Sequence, residues 1–310
     1  MAPLALVASI VLAISLTTAT PNRALAQPMV PQSPIPVPPG TNILFIYPAV
    51  YNNFGNFNTT VSLGPISRSI TFSKSNLDAF GTAVRYIRFF DISGATVGID
   101  ITQAYSILYN GNVAGLPLNY ANGFGDTQIA AYVYPISNPE TRTYLRVQGT
   151  VWIPDGGYNP DKAVNTGTPG WAGAFLADFG QGITERLSFQ IAPSIAFYAP
   201  ADLASPDDNG ENPVGKRLTQ KPTYQLQPWL NFNISRATLV ALGYWGSWGG
   251  AQSVNGRSNG AKTQFNRLRL YGLQWLSKST QVTLELQRDI NVVGGFQLKF
   301  AAILRFGVVF

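Results

Sequence analysis

The last fifteen residues, FQLKFAAILRFGVVF, set Phe296, Leu298, Phe300, Ala302, Leu304, Phe306, Val308 and Phe310 at every second position. Successive side chains of a strand point to opposite faces, so one face of this segment is wholly apolar. The other carries Gln297, Lys299 and Arg305. The same period recurs upstream. Val282, Leu284 and Leu286 oppose Gln281, Thr283, Glu285 and Gln287, while Leu187, Phe189, Ile191, Ile195 and Phe197 oppose Arg186, Ser188, Gln190, Ser194 and Tyr198. Leu145, Val147, Val151 and Ile153 oppose Tyr144, Arg146, Gln148 and Thr150. Lipid on one side of each strand and water on the other satisfies this pattern in a transmembrane barrel. A water-soluble sandwich has the same period and is the competing architecture.

Traced backwards from Phe310, segments of about ten residues, long enough to cross a bilayer when tilted, are expected at 296–310, 279–290, 264–275, 236–247, 222–234, 184–198, 171–181, 142–153, 127–135, 95–105, 83–91 and 66–73. Short connections (LSK, SR, QGI, ISNPET, DISG) alternate with long ones at 248–263, 199–221, 154–170 and 106–126. Outer-membrane barrels pair short periplasmic turns with longer external loops. The reading is therefore all-β: a transmembrane antiparallel up-and-down β-barrel of twelve strands in the bacterial outer membrane, both termini periplasmic. Outer-membrane lipid and lipopolysaccharide are its expected surroundings. Fourteen strands is the alternative if the aromatic segment 42–57, NILFIYPAVYNNFGNF, adds a hairpin. The preferred expectation for that segment is a plug, with Phe45, Tyr47, Tyr51 and Phe54 as its binding surface. The tryptophans Trp152, Trp171, Trp229, Trp245, Trp248 and Trp275 fall near expected strand ends, where interfacial girdles lie.

Residues 1–26 read as a signal peptide: an apolar stretch from Leu4 to Leu16, then Ala24-Leu25-Ala26, an A-x-A cleavage site. No Lys or Arg precedes that stretch. Residues 27–56 then form a proline-rich periplasmic lead-in and possible plug, and 57–310 the barrel. The run PMVPQSPIPVPPG at 28–40 is too rich in proline for helix or sheet ladder.

Composition narrows the chemistry. The 310 residues include no Cys and no His, 12% are charged, and the formal charge is +6. Without histidine no Ser-His nucleophile, histidine-ligated zinc or histidine-ligated haem can be assembled. Paired carboxylates at a suggestive local spacing are absent as well, so an enzyme is not expected. The basic excess is dispersed without a patch, which argues against nucleic acid. The loop SPDDNGENP at 205–213 gathers oxygen ligands, but its spacing is not that of a twelve-residue calcium loop. No metal or cofactor is expected.

Registers can be drawn for the last strands. A three-residue turn Leu276–Lys278 would set Arg269 opposite Glu285 and Arg267 opposite Gln287. A five-residue loop after Asp289 would set Glu285 opposite Lys299. The outcome is an inward ladder of Arg269, Glu285 and Lys299 with Arg305 nearby; Arg146 and Arg186 join it as candidate lumen-facing residues along a solute pathway. Such charges either fill the lumen as a structural network or orient solute and water.

Three stretches carry a family resemblance: GFGDTQIAAYVYPI at 123–136, GTVWIPDGGYNPDKAVNTGTPGWAG at 149–173, and the closing residues 270–310. Gly123-Phe124-Gly125-Asp126 matches a G-[LF]-G-D stretch entering a strand. Ile153-Pro154-Asp155-Gly156 with Asn165-Thr166-Gly167 matches a strand ending in a P-x-G loop followed by N-x-G. Arg288-Asp289 ahead of Gly294-Gly295 matches a late Arg-Asp pair before a glycine-rich turn. Over roughly 41–310 the chain resembles the transporter family of the MetA pathway of phenol degradation, a group of outer-membrane barrels. The resemblance implies passive uptake of small hydrophobic or aromatic solutes. A structural or surface-interaction barrel acting through loops 199–221 and 248–263 is the alternative. Phe310 would serve as the signal read by barrel-assembly machinery.

Overall fold

In the computed structural model, which describes residues 28–63, 66–203, 217–258, 261–262 and 264–310, there is no helix among the described residues. Twelve antiparallel strands close on themselves. The first, β1, comprises Asn42–Ile46 and Ala49–Leu63, interrupted only at Tyr47-Pro48. Then come β2 Ile66–Ile92, β3 Ala95–Val113, β4 Thr127–Asn138, β5 Thr143–Ile153, β6 Ala172–Gly182, β7 Leu187–Tyr198, β8 Thr223–Asn233, β9 Thr238–Gly249, β10 Gln264–Trp275, β11 Thr280–Val293 and β12 Phe300–Val309. Each pairs with its sequence neighbour. β12 returns to β1 with Ile43 opposite Val309 and Asn52 opposite Phe300. Closure leaves no unpaired edge, which a sheet in hydrocarbon requires.

Burial is inverted relative to a soluble sandwich. Along β11 the sheltered positions are Gln281, Thr283, Glu285, Gln287 and Asp289, whereas Leu284 and Ile290 are exposed. On β10 Arg267 and Arg269 are 1% exposed while Leu268 and Leu270 are 49% and 52% exposed. Polar-in and apolar-out is the pattern of a lipid-facing barrel wall; a sandwich core would demand the opposite.

The twelve strands are not the twelve expected. β2 runs without a break through residues 74–82, read above as a connection between two strands. The register of β1 against β2 is maintained from Asn42↔Arg88 to Leu63↔Ile66, with one bulge at Gly55/Asn56. Residues 42–57, expected as a plug, thus supply a wall strand, and the fourteen-strand alternative falls with the plug. The physical reason is that Phe45, Tyr47 and Tyr51 occupy the odd, inward positions of β1 while Ile46 and Val50 face out at 47% and 46% exposure. Pro48 also interrupts the ladder, and there Tyr47 N–H donates to Ala83 O (2.9 Å) and Leu304 N–H to Pro48 O (2.9 Å). β12 also begins later than expected. Gly294 and Gly295, at positive φ of 88° and 94°, turn the chain so that Phe296 packs on Phe57 at 4.9 Å and Leu298 is fully buried.

Turns of two to four residues at 93–94, 139–142, 183–186, 234–237 and 276–279 lie at one end, here the turn end, together with Asn42 and Phe310. Most connections at the opposite, loop end are long: 114–126, 154–171, 199–222 and 250–263. Segments of the last two pair as a small sheet from Ala201–Asp202, Arg217–Gln220, Gln252–Val254 and Arg257–Ser258. The oxygen-rich loop 205–213 lies outside the described residues.

A narrow lumen must accommodate large inward rings, and three of them lie directly opposite glycines. Tyr132 faces Gly98, Trp229 faces Gly243 and Phe45 faces Gly307. A Cβ at those glycines would sit 2.1, 2.4 and 2.4 Å from the respective ring. The missing side chain is the space the ring occupies.

Candidate functional site

Among the described residues the inner wall carries five buried arginines, Arg85, Arg146, Arg267, Arg269 and Arg305, and four buried carboxylates, Asp100, Asp178, Glu285 and Asp289. Four of the arginines are paired one to one: Arg85–Asp100 (2.6 Å), Arg146–Asp178 (3.2 Å), Arg267–Asp289 (2.6 Å) and Arg269–Glu285 (2.6 Å). Gln227 and Gln287 extend the network, accepting from Arg269 (2.9 Å) and Arg267 (3.0 Å). Rings cap the guanidinium faces. Arg269 lies 4.3 Å from the Trp229 centroid and Arg267 4.7 Å from that of Phe265, distances at which cation–π attraction operates.

The proline-rich segment 28–40 enters this polar interior from the turn end. Gly40 N–H donates to Phe89 O (2.9 Å), and from there the chain rises to Met29, which is 2% exposed. A segment with neither helix nor ladder must find partners for its backbone inside the barrel. Wall glutamines provide them. Gln227 accepts from Met29 N–H (2.9 Å), Gln190 accepts from Gln32 N–H (3.0 Å) and donates to Val30 O (3.1 Å), and Trp229 Nε1 donates to Met29 O (3.0 Å). Ser33 Oγ donates to Asp178. The six prolines in 28–40 carry no N–H, which leaves fewer donors to satisfy. Within 27–56, expected as a periplasmic lead-in and possible plug, it is the proline-rich part that enters the lumen.

It divides the interior into cavities. One of about 220 Å³ lies toward the loop end, lined by Pro28, Val30, Tyr47, Tyr51, Tyr271 and Arg305 among others. A second of about 320 Å³ lies toward the turn end, lined by Val30, Phe45, Tyr132, Tyr134, Trp275 and Arg305 among others. A third of about 250 Å³ flanks Gln32, Pro34 and Ile35 at the same end. Val30, Arg85, Tyr271 and Arg305 line both the first and the second. They form the waist of the lumen: one side chain from the inserted segment against three from the wall.

Of the residues picked from sequence, Arg146, Arg269, Glu285 and Arg305 are brought into this interior. Arg186 is not: it sits exposed in the turn 183–186, where its carbonyl accepts from Asn233 N–H. Lys299 precedes β12, is half-buried, and lies four residues from Ile303, which is the residue opposite Glu285. The expected register was two residues off, because the turn after Trp275 is longer than three residues; Arg269 faces Gln287, and Tyr271 faces Glu285. The Arg269–Glu285 contact forms diagonally instead. Phe45, Tyr47 and Tyr51 do reach the lumen, as wall residues of β1. The backbone of Phe54 pairs with Asn76 in the same strand pair. Three tryptophans expected in an interfacial girdle, Trp152, Trp229 and Trp245, are buried at 7%, 1% and 3%. On β8, for example, Trp229 shares the inward face with Gln225, Gln227 and Asn231, while Tyr224, Leu230 and Phe232 face out. Trp275 packs on the lumen cluster around Trp229 and Tyr271, while Trp171 and Trp248 are exposed.

The residues missed were Arg85, Asp100, Asp178 and Tyr271. Asp100 had a legible signal, a carboxylate between Ile99 and Ile101 in a strand, since an outward carboxylate there would meet lipid.

The short motifs at the loop end build a knot. Asp126 accepts from Gly156 N–H (3.3 Å), Thr168 N–H (3.1 Å) and Thr168 Oγ1 (2.5 Å). Asp155 accepts from Thr127 N–H (2.8 Å) and Oγ1 (2.7 Å), and these bonds hold its carboxyl below the usual carboxylate range. A Cβ on Gly167 would lie 2.5 Å from Gly156 C. These residues fold loop 154–171 down onto the rim and do not reach the waist.

Among solved structures, the chain is similar to the COG4313 outer membrane channel from Pseudomonas putida F1, with 19% identity over 91% of this chain and 100% of that one and a TM-score of 0.77. Weaker similarity is found to the β domain of the Bordetella autotransporter BrkA (8% identity, 86% and 98% covered, TM-score 0.48) and to a Pseudomonas aeruginosa FadL homologue (9%, 87% and 89%, 0.41). These two carry no weight for function. No curated protein matches the chain in sequence. The family model described as "Putative MetA-pathway of phenol degradation" matches residues 52–306, from within β1 to within β12. The chain belongs to that family.

Proposed function

We propose that this protein is an outer-membrane channel through which small hydrophobic or aromatic solutes pass by diffusion, with no catalytic step. The observation that carries the reading is the waist: cavities of about 220 and 320 Å³ on either side of segment 28–40 that share Val30, Arg85, Tyr271 and Arg305. Two cavities that meet at these four residues make a path wherever the inserted segment yields. Their linings of Tyr, Phe, Ile and Val with a few polar groups suit an aromatic ring better than a sugar, which needs many hydrogen-bond partners. Arg146, Arg269, Glu285 and Arg305 line or shape that path, and Phe45, Tyr47 and Tyr51 provide its aromatic wall.

In this reading the turn end faces the periplasm and the loop end the exterior, as short turns and long loops assign, so both termini are periplasmic. The outward leucines and phenylalanines meet lipid, with lipopolysaccharide at the external rim. Phe310, 65% exposed and its backbone exchanging bonds with Asn42 (2.8 and 2.9 Å), is the residue for assembly machinery to read. Residues 1–26 act as the export signal.

Liposomes carrying the purified barrel test the reading. Benzyl alcohol should enter faster than a pentose at equal concentration. Equal rates would remove the aromatic preference, and rates no greater than in protein-free vesicles would remove the channel.

A further inference from the structure

Among the described residues five arginines and four carboxylates are buried on the inner wall, and the odd one is Arg305. Among the described residues no carboxylate lies within ion-pair distance of it. Its guanidinium donates to Thr283 Oγ1 (3.2 Å) and to the Tyr271 hydroxyl. Around it stand the rings of Phe45 (4.8 Å), Tyr271 (5.7 Å) and Tyr47 (5.8 Å). Neutral hydroxyls and ring faces soften the burial of a cation without neutralising it. The side chain is 5% exposed, yet it lines both cavities of the waist. An uncompensated guanidinium facing an enclosed space is an anion site in charge and in donor geometry.

The cavity above it defines the rest of the ligand. At about 220 Å³ it is smaller than the roughly 300–1,000 Å³ of pockets that take drug-sized molecules, which leaves room for one ring. Ala49, Ile303 and the rings of Tyr47, Tyr51 and Tyr271 provide flat apolar contact, Thr82, Thr102, Ser106, Gln128 and Thr283 provide neutral polar groups, and the second guanidinium in the lining, Arg85, is held by Asp100 at 2.6 Å. Glu285 lines the same cavity, where Arg269 holds it at 2.6 Å. A second negative charge on the ligand would face that carboxylate. We propose that the waist is a binding site for single-ring aromatic monocarboxylates, with the carboxylate on Arg305 and the ring against Tyr47 and Tyr271. This rests on the lumen being the solute path and goes further by naming the charge the path selects.

The test uses the whole barrel in detergent micelles, titrated calorimetrically with benzoate, with benzamide as the neutral match in size and phthalate as the dianion. Benzoate should bind more tightly than either. Arg305→Gln should lower the benzoate-to-benzamide affinity ratio at least about tenfold, the equivalent of one charge-assisted hydrogen bond; Arg305→Lys should restore part of it. The gel shift between folded and heat-unfolded barrel reports whether each variant has folded. Equal affinities for benzoate and benzamide in the native barrel overturn the proposal, as does a ratio that Arg305→Gln leaves untouched. Binding is read without passage, so a barrel that binds benzoate but admits nothing to liposomes refutes the channel and spares the site. A barrel that passes benzyl alcohol and ignores charge does the reverse.

Discussion

Arg269 Nε lies 2.6 Å from Glu285 Oε1 although the two residues are not opposite one another; Gln287 faces Arg269 and Tyr271 faces Glu285 across β10 and β11. The contact runs along the diagonal between positions two residues apart, a distance long side chains reach. Glu285 Oε1 also accepts from Gln287 Nε2 (2.7 Å), and Arg269 donates to Gln227 (2.9 Å). One carboxylate thus holds three strands in register through the lumen.

Removing it leaves Arg269, 1% exposed, without its counter-charge. Breaking one member of a buried pair costs about 3–5 kcal/mol, whereas replacing both with apolar residues of similar volume is near neutral. Glu285→Ala should lower the urea midpoint of the barrel in micelles, and Arg269→Met with Glu285→Leu should recover most of the loss. An unchanged midpoint for the single variant would show that the pair is not structural.

The inserted segment offers a second test. Deleting residues 28–39 removes the backbone that Gln190, Gln227 and Trp229 engage and joins the cavities it separates. Single-channel conductance should rise several-fold, since flow through a pore is set by its narrowest section. A conductance equal to that of the intact chain would mean that the path does not run past this segment.

From Phe300 onward the end of the chain was legible because alternation there is strict and lipid exposure punishes every misplaced charge. β1 and β2 were not. Lys74, Ser75, Asn76 and Asp78 look like a loop, and Pro48 looks like a strand breaker, yet pairing from Asn42 to Ile92 overrides both. That these two errors offset each other preserved the strand count. The ion pairs on β10 and β11 were legible from charge parity alone, but their register hung on a turn length that sequence left open. The destination of segment 28–40 was not written locally at all. Its prolines exclude helix and ladder, and its partners Asp178, Gln190 and Gln227 lie some 145–198 residues away along the chain.

Acid should loosen the loop knot. Hydrogen bonds from Thr127 depress the Asp155 carboxyl below its ordinary value of 3.8, so the folded loop binds its proton more weakly than the free chain does. The stabilisation is complete above the ordinary value and is lost as pH falls through the depressed one. Proteolytic cleavage of loop 154–171 by an acid-active protease should accelerate below about pH 4, and Asp155→Asn should flatten the profile. A native profile that is itself flat would sink the assignment.

The glycines opposite inward rings predict a stability effect that does not depend on function. A Cβ at residue 243 would meet the Trp229 ring at 2.4 Å, and Trp229 cannot retreat, because Nε1 is tied to Met29 O and Arg269 lies over its face. Gly243→Ala should cost about 1–3 kcal/mol as overpacking, read as a lower urea midpoint. Gly272, whose Cβ would meet nothing within 4 Å, provides the control, and Gly272→Ala should be close to neutral.

Closure itself can be trapped. The chain has no cysteine, so Ile43→Cys with Val309→Cys introduces one pair, at directly opposed positions. The neighbouring pair Asn42 and Phe310 exchanges both backbone bonds, which makes Ile43 and Val309 a non-hydrogen-bonded pair, where Cα atoms lie about 4.5 Å apart and suit a disulfide. Oxidation should join β1 to β12 in high yield and produce a circularised species that migrates faster on denaturing gels until reduced. If residues 42–57 were instead a plug detached from the wall, the cysteines would stay free and the two gel lanes would match. The crosslink therefore decides whether residues 42–57 form the wall strand β1 that closes on β12.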